Sequence, residues 1–477
     1  MALTDSQDIE RIVRAVVRTL EDRQGGTGAA SGKPLETLAQ GVFHSLDDAV
    51  NEARAGTSFL KSIANRKKVI AAMRAAGEAH ALSLAELAVA ETKMGRVQDK
   101  LIKNLSQARH TPGVECLSPT ALTGDGGLTL IENAPWGVIA SVTPSTNPAA
   151  TVINNAISMV AAGNTVVFAP HPAARQVSQR AIALLNQAIS ECGGPKYLLT
   201  TVAKPTIETA QQLFKHPGVQ LLTVTGGEAV VHEARKHTDK RLIAAGAGNP
   251  PTVVDETADI ARAAKDIVWG ASFDNNLICV LEKELIVVAS VADQLKREMA
   301  THKAVELTQD QGRKLQDIVL TNVQPDGHGT VSRDWVGRDA ARLAQAIGLQ
   351  VPPDTRLLFV ETGPDHPFAV TELMMPILPV IRVGNVEEAI DLAVKLEAGC
   401  RHTASIHTRS IDNMDRMAEL INTSVFVKNG PCLAGLGFGG EGWTSMTIST
   451  PTGEGVTSAR TFVRLRRCVL VDRFHIV

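Results

Sequence analysis

The sequence lacks a charge excess of either sign, because 48 Lys and Arg residues stand against 50 Asp and Glu residues in a chain of 477. A nucleic-acid site or a polybasic membrane patch usually appears as an excess of basic residues, so we expect neither partner. No apolar run approaches the roughly 20 residues of a transmembrane helix. The first residues also lack the basic and apolar regions of a secretory signal, so we expect a cytoplasmic protein.

Cysteine is scarce, and its spacing matches no common metal site. There is no CxxC pair, and the wide spacing fits neither a zinc nor an iron–sulfur ligand pattern. Without a secretory signal, reduced thiols are the default, and we expect no structural metal. The cysteines are Cys116, Cys192, Cys279, Cys400, Cys432 and Cys468.

The first part of the chain predicts a helix on a flexible tether. Residues 5–23 carry apolar side chains at helical spacing, from Ile9 to Leu20, and glycines end the pattern. Residues 24–34 have the composition of a flexible linker. The apolar stripe of such a helix either docks on its own domain or binds in the groove of a partner.

Short runs rich in β-branched residues alternate with helical patterns such as 149–162 and 176–190. This alternation predicts an α/β protein with a parallel sheet, in which ligands bind at the carboxyl ends of strands. The expected strands are 128–133, 136–143, 165–169, 219–224, 252–254, 285–288, 356–360, 377–383 and 456–471.

Two glycine-rich segments interrupt the pattern. Thr225-Gly226-Gly227 follows the expected strand 219–224, where bare backbone could approach a phosphate. There is no GxGxxG fingerprint. The loop 429–442 is too rich in glycine for core structure, and we expect it to line a cavity or a subunit seam.

Cys279 lies in the stretch that says most about chemistry. It follows the polar turn 274–276 and precedes the apolar run 285–288. A thiol at such a turn, with backbone N–H groups nearby, can become an activated nucleophile. An isolated cysteine is more often a small buried side chain, so the surrounding segments decide between the two interpretations.

Five segments in the same order, at 91–100, 142–148, 163–172, 245–251 and 273–279, resemble those of the CoA-acylating aldehyde dehydrogenases of bacterial microcompartments. The resemblance covers nearly the whole chain from about Leu35 onward. The segments resemble those of family members that act on propionaldehyde and those of related enzymes that act on acetaldehyde.

The resemblance implies an α/β fold of the aldehyde dehydrogenase type. A Rossmann-type domain that binds NAD and CoA would comprise residues 35–117 and 135–243, and an α/β catalytic domain residues 244–435. Residues 118–134 and 436–477 would form a β oligomerisation segment of a dimer or tetramer. Residues 1–23 resemble the encapsulation peptides of microcompartment enzymes, which implies a helix that binds shell or lumen proteins.

The resemblance also implies roles for particular residues. Cys279 would attack the aldehyde carbonyl, and the Asn147 side chain and the Cys279 backbone N–H would stabilise the oxyanion. Hydride would then pass to NAD and leave an acyl thioester on the cysteine. The expected cofactor contacts come from three strand ends and one glutamate: Thr143, Pro144, Ala169, Pro170, His171, Thr225, Gly226, Gly227 and Glu372.

Two departures from the wider family affect the reaction and the cofactor. Hydrolytic members carry a glutamate ahead of a Gly-Gly turn, whereas the matching stretch 243–248 has no carboxylate. Without that base, hydrolysis should be slower by on the order of 10²–10⁴, so the acyl group is expected to go to CoA. The ribose-binding lysine of the family would fall near Ala169, which leaves NAD or NADP open, with NAD favoured.

The expected reaction is the oxidation of a short aliphatic aldehyde, propionaldehyde first, to its acyl-CoA with NAD and CoA. An acetaldehyde-preferring enzyme of the same kind is the nearest alternative. A hydrolytic aldehyde dehydrogenase and a non-catalytic microcompartment component are the others. The expected location is the lumen of a bacterial microcompartment.

Overall fold

The structure, a computed structural model, describes residues 39–476. The helix expected at 5–23 and the linker at 24–34 lie outside these residues. None of the helices within 39–476 combines the length and the apolar character that a membrane span requires.

Several helices begin at a polar side chain that caps the first turn. Ser45, Ser62 and Asp259 each accept a hydrogen bond from the backbone N–H three residues further on. The α-helices are Leu46–Ala55, Ile63–Ala79, Ala81–Thr92, Val97–His110, Pro148–Ala161, Arg175–Glu191, Ile207–Lys215, Glu228–His237, Ile260–Ser272, Ala289–Thr301, Gln309–Val319, Ala340–Ala346, Pro367–Val370, Val386–Leu396 and Ile411–Ile421.

The strands are β1 (Val42–Phe43), β2 (Thr120–Gly124), β3 (Gly127–Pro135), β4 (Val138–Thr143), β5 (Thr165–Pro170), β6 (Leu199–Val202), β7 (Leu221–Thr225), β8 (Arg241–Ala245), β9 (Pro251–Val254), β10 (Glu284–Val288), β11 (Ala304–Glu306), β12 (Leu320–Thr321), β13 (Thr330–Val331), β14 (Leu357–Glu361), β15 (Ile377–Val383), β16 (Thr403–His407), β17 (Val425–Lys428), β18 (Ile448–Ser449), β19 (Gly455–Val456) and β20 (Val463–Val471).

The first large sheet is parallel and has the strand order β1-β6-β5-β4-β7-β8. The chain runs outward from β4 to β5 and β6, then crosses to β7 and β8 on the other side of β4. A topological switch point therefore lies beside the carboxyl end of β4, where open α/β sheets bind ligands. The helix Pro148–Ala161 follows β4 and is buried along its whole length.

The second large sheet is also parallel, with the order β11-β14-β15-β10-β9-β16-β17. Alternate residues of β10 enter two apolar clusters on opposite faces, with Leu285 in one and Ile286 in the other. Burial on both faces explains why β10 is a nearly continuous apolar run. Cys279 lies just before this strand, in the segment that follows the helix Ile260–Ser272.

A third sheet is antiparallel, with the order β2-β3-β20, and places Cys468 opposite Leu130. It joins strands from the two chain segments expected to mediate oligomerisation. Its surface includes Leu465, which is 72% exposed, and Val471, which is 65% exposed. The role of this sheet and the predicted domain boundaries stay predictions.

Two local expectations are wrong. A single strand over 456–471 does not form, because Ala459–Phe462 is a short 3₁₀ helix in which Ser458 and Thr461 cap each other. The loop 429–442 is not excluded from the core, since it contains the short helix Cys432–Leu436, which buries Leu433 completely.

Candidate active site

The residues expected to contact the cofactor on three different strands share one edge of the first sheet. Thr143 at the end of β4 pairs with Pro170 at the end of β5, and the His171 N–H donates to the Thr143 carbonyl at 3.0 Å. Thr225 ends β7 on the other side of β4. The predicted residues gathered at this edge are Thr143, Pro144, Ala169, Pro170, His171, Thr225, Gly226 and Gly227.

The Gly226-Gly227 turn leaves room for a ligand. The Gly226 N–H donates to the Ala245 carbonyl at 3.2 Å, and Gly227 precedes the helix Glu228–His237. A Cβ on Gly227 would meet no atom within 4 Å. The buried hydroxyl of Thr143 has no hydrogen-bond partner within the described part of the chain. An open glycine turn at a helix N-terminus and a spare hydroxyl fit the phosphates and hydroxyls of a dinucleotide.

The turn that leads to Cys279 has an unusual backbone. Asp274, Asn275 and Asn276 have φ values of 48°, 55° and 65°, a left-handed conformation that Asp and Asn tolerate better than most residues. The Asn275 side chain donates to the Gly337 carbonyl at 2.9 Å, and the Asn276 side chain to the Ala271 carbonyl at 2.9 Å. Side-chain hydrogen bonds therefore hold this conformation directly before the candidate nucleophile.

The thiol of Cys279 is protonated in the resting structure. Burial, together with the negative charge of Glu372, raises its pKa to about 12, while Lys283 opposes the shift. Backbone N–H groups of Cys279 and Val280 also favour the thiolate. The side chain is only partly buried, at the edge of an apolar cluster, so a small aldehyde can reach it.

Asn147 lies beside the cysteine turn, as its predicted role requires. Its side-chain amide nitrogen donates to the Leu277 carbonyl at 3.1 Å and to the Thr146 hydroxyl at 3.2 Å. Its oxygen Oδ1 contacts the buried ammonium group of Lys103. The structure therefore brings Asn147 and the turn of Cys279 together from two separate sheets.

Behind Asn147 lies a buried network of ionic groups. The Asp274 carboxylate contacts Lys103 and accepts a hydrogen bond from Lys100 at 3.0 Å. The Asp274 N–H donates to Asp99 at 2.9 Å, and Asp99 pairs with Arg356 at 2.9 Å. Burial lowers the pKa of Lys103 to about 8, against the opposing effect of Asp274. The network connects the helix carrying the lysines to the cysteine turn.

Glu372 lies close enough to Cys279 to affect its ionisation. The carboxylate lies near the Gly248 backbone, and Lys283 lies 3.7 Å from Oε1, which is buried and has no hydrogen-bond partner within the described residues. Burial raises the pKa of Glu372, and these two neighbours oppose the rise. A carboxylate in this place can accept hydrogen bonds from ribose hydroxyls, which is the role predicted for it.

His402 occupies the space next to the turn that lacks the hydrolytic glutamate. A Cβ added to Gly248 would lie 2.7 Å from its ring. Its Nδ1 lies 2.9 Å from the Thr403 hydroxyl, and Nε2 has no hydrogen-bond partner within residues 39–476. Burial lowers the pKa of His402 to about 4, so the ring is neutral at ordinary pH.

Sequence reasoning missed the charged and titratable neighbours of the predicted residues, which are Lys103, Asp274, Lys283 and His402. One sequence feature could have revealed Lys283. The triplet Glu282-Lys283-Glu284 leads directly into an apolar strand, and charged residues are seldom buried without a partner or a function. For His402, the sequence offers no comparable feature.

The comparisons with known proteins show the family to which the chain belongs. The model of the aldehyde dehydrogenase family matches residues 26–446. The chain therefore belongs to the aldehyde dehydrogenase family, and the α/β fold predicted from the sequence is confirmed.

Among its relatives is the acetylating acetaldehyde dehydrogenase of Escherichia coli strain K12, which is 68% identical over 99% of this chain and 100% of the relative. A solved propionaldehyde dehydrogenase of Rhodopseudomonas palustris, with bound CoA and an acylated cysteine, is 45% identical. It covers 92% of this chain and 100% of its own, with a TM-score of 0.89.

A third similar protein is the propionaldehyde dehydrogenase of the fucose utilisation bacterial microcompartment of Clostridium phytofermentans. It is 43% identical, has a TM-score of 0.88, and covers 92% of this chain and 100% of its own. The resemblance to CoA-acylating aldehyde dehydrogenases of microcompartments is thus confirmed.

Proposed function

We propose that this chain oxidises a short aliphatic aldehyde to its acyl-CoA, with NAD as the hydride acceptor and Cys279 as the nucleophile. One observation carries the proposal. The amide of Asn147 bonds directly to the turn of Cys279, while the stretch 243–248 offers no carboxylate to activate water. The activities named for the Escherichia coli and Rhodopseudomonas palustris relatives support the proposal.

The chemistry follows from the groups around the thiol. The Cys279 thiol first releases its proton to water, and attack of the resulting thiolate on the aldehyde carbonyl forms a C–S bond and places negative charge on the former carbonyl oxygen. The Asn147 amide and the Cys279 backbone N–H are the donors for this charge. Bound NAD supplies the oxidising chemistry by accepting the hydride. The CoA thiol then attacks the acyl thioester, which releases acyl-CoA and restores the cysteine.

We propose His402 as the group that accepts the proton of the CoA thiol. Its ring is neutral above the lowered pKa of about 4, so a ring nitrogen is available as an acceptor. Nε2 is buried and has no partner within the described residues. The ring lies against Gly248, in the stretch where a hydrolytic enzyme has its glutamate.

The experiment measures NADH formation from propionaldehyde and NAD with and without CoA, and quantifies acyl-CoA and free acid. Turnover that requires CoA and yields acyl-CoA is expected, and Cys279→Ala should abolish it. Cys192→Ala, at a partly buried cysteine that follows the helix Arg175–Glu191, is the matched control. Sustained turnover to free acid without CoA would contradict the acylating mechanism.

The preferred aldehyde has two or three carbons. The sequence predicts propionaldehyde as the substrate, with acetaldehyde as the alternative. The 68% identity to an acetaldehyde enzyme, against 45% to a propionaldehyde enzyme, supports testing acetaldehyde with equal weight. The ratio of kcat/KM for acetaldehyde and propionaldehyde, measured at saturating NAD and CoA, decides between them.

We also propose that residues 1–23 direct the enzyme into the lumen of a bacterial microcompartment by binding a shell or lumen protein. The amphipathic pattern from Ile9 to Leu20 supports this, as does the similarity to an enzyme of a fucose utilisation microcompartment. Deletion of residues 1–23 should abolish packaging and leave turnover of the isolated enzyme largely unchanged. Packaging that survives the deletion would contradict the proposal.

The antiparallel sheet β2-β3-β20 is the surface that we propose joins copies of the chain. Its exposed apolar residues, with Leu465 72% exposed and Val469 58% exposed, support an interface. Leu465→Arg should shift the mass measured by light scattering toward the monomer. Ile411→Arg, at an apolar residue exposed on a helix, is the control. An unchanged mass for Leu465→Arg would contradict this surface.

A further inference from the structure

A buried lysine lies directly behind the predicted oxyanion donor. Lys103, on the helix Val97–His110, is 1% exposed, and its Nζ contacts the side-chain oxygen of Asn147. An ammonium group donates hydrogen bonds and accepts none. The Asn147 atom that faces Lys103 must therefore be the oxygen, and its NH₂ group must point toward Leu277 and the turn of Cys279.

Asp274 fixes the position of Lys103. Its carboxylate contacts Lys103 and accepts from Lys100 at 3.0 Å, and its other oxygen accepts from the Arg96 N–H at 2.8 Å. Asp274 itself belongs to the left-handed turn that precedes the cysteine. The nucleophile's turn and the amide of Asn147 are thus tied to the same ammonium group.

We propose that Lys103 is a positioning residue for aldehyde oxidation, because it fixes and polarises the Asn147 amide whose N–H groups stabilise the oxyanion. A cation that donates to an amide oxygen withdraws electron density and makes the amide N–H a stronger donor. One Asn147 hydrogen reaches the neutral Thr146 hydroxyl at 3.2 Å, a bond that a negatively charged oxygen would displace. This inference rests on the proposed function, since it needs Asn147 as the oxyanion donor.

The competing explanation is that Lys103 only neutralises a buried carboxylate. Lys100 allows the two explanations to be separated. It is on the same helix, is nearly as buried, and bonds the same oxygen of Asp274. Its remaining hydrogen bond goes to the Thr146 carbonyl at 2.8 Å and not to the amide of Asn147. If neutralising Asp274 were the whole role, loss of either lysine would have similar effects.

The experiment compares Lys103→Met with Lys100→Met, each alone and combined with Asn147→Ala. The quantity measured is the single-turnover rate of NADH formation from saturating propionaldehyde and NAD, and thermal melting checks the fold. Lys103→Met should slow this step roughly tenfold or more beyond Lys100→Met, with little change in the aldehyde concentration for half-maximal rate. In the Asn147→Ala background, the additional loss from Lys103→Met should shrink to about twofold or less.

Equal decreases in the single-turnover rate for the two lysine variants would overturn the inference. A decrease from Lys103→Met that is just as large in the Asn147→Ala background would also overturn it. If Asn147→Ala lowers the single-turnover rate and Lys103→Met does not, the inference about Lys103 fails while the proposed function stands. If Asn147→Ala leaves the single-turnover rate unchanged, the oxyanion role of Asn147 in the proposed function is wrong.

Lys103→Gln provides a second test, because glutamine is uncharged like methionine but keeps a hydrogen-bond donor. It should recover part of the rate, and a rate no better than that of Lys103→Met would contradict polarisation through Oδ1.

Discussion

The side-chain amide of Asn147 donates a hydrogen bond of 3.1 Å to the carbonyl oxygen of Leu277, two positions before Cys279. Asn147 begins the helix after β4 in the first sheet, and Leu277 lies before β10 in the second. This direct contact, together with the link through Lys103 and Asp274, holds the oxyanion donor beside the nucleophile. Preorganised donors are effective only when they point at the place where charge develops, so this contact bears directly on the rate.

Replacement of Asn147 tests that role. Asn147→Ala should lower the single-turnover rate of NADH formation by on the order of 10²–10³, because one of two oxyanion donors is lost. Asn51→Ala, at an exposed asparagine on the helix Leu46–Ala55, is the control and should leave the rate unchanged. A loss of less than about threefold in Asn147→Ala would mean that the amide is structural.

The neighbours of Cys279 should change its ionisation in opposite directions. Glu372 raises the pKa of the thiol and Lys283 lowers it. Glu372→Gln should therefore increase the thiolate fraction and the rate of alkylation by iodoacetamide between pH 8 and 10, about the range where free thiols titrate, and Lys283→Met should decrease that rate. Mass spectrometry of the alkylated peptide assigns the reaction to Cys279. The same direction of change in both variants would contradict the electrostatic explanation.

Glu372→Gln should also raise the KM for NAD, because a neutral amide is a weaker acceptor for ribose hydroxyls than a carboxylate. Glu256→Gln, at an exposed carboxyl in a turn, is the control for both measurements. An unchanged KM in Glu372→Gln would contradict the cofactor role predicted for this residue.

The sequence was sufficient to predict the parallel α/β fold and most strand positions. β10 and β15 are short runs rich in β-branched residues, and this composition together with the short length favours a strand over a buried helix. The short helix Ala459–Phe462 was missed because its neighbourhood also alternates polar and apolar residues. What starts this helix is a reciprocal cap between Ser458 and Thr461, which hydrophobic periodicity does not register.

The candidate site likewise contains residues that the sequence predicts and residues that only the structure reveals. The resemblance of local segments was enough to single out Cys279 and Asn147. The contact between Lys103 and Asp274 joins residues 171 positions apart and depends on tertiary packing that no local pattern encodes. The Glu282-Lys283-Glu284 triplet is visible in the sequence, but only the structure shows that all three side chains are buried.

Burial of Glu282 should make stability depend on pH. Burial raises the pKa of Glu282 from its usual 4.5 to about 7, because only one carboxylate oxygen has a partner, the Cys432 N–H at 2.7 Å. The native state then holds a proton that the unfolded chain releases between these values. The stabilisation is complete below pH 4.5 and is lost as pH rises through about 7.

The variant Glu282→Gln has a neutral side chain at every pH, so its stability should not decrease in this way as pH rises. Its free energy of unfolding relative to the unmodified protein should therefore increase between pH 5 and 8, by on the order of 3 kcal/mol over the full shift. Denaturant unfolding at several pH values measures the difference. A difference that stays constant with pH would contradict a protonated Glu282, and Glu256→Gln is the exposed control.

Replacement of His402 should separate the two halves of the reaction. If its ring accepts the CoA proton, His402→Ala should slow CoA-dependent turnover by about 10²-fold and leave the first NADH turnover nearly unchanged. A structural role, in which the lost ring leaves a cavity beside Gly248, would slow both steps. Stopped-flow measurement of the NADH burst, followed by steady-state turnover with CoA, distinguishes these outcomes.

The pH profile gives a second readout for the same residue. Because the lowered pKa of His402 is about 4, its ring should remain an acceptor well below the usual titration range of histidine. The acyl-transfer rate of the unmodified enzyme should then show no inflection near pH 6.5, about the usual histidine pKa. His328→Ala, at an exposed histidine, is the control for substitution itself. Equal slowing of both half-reactions in His402→Ala, or an unchanged transfer to CoA, would exclude His402 as the acceptor of the thiol proton.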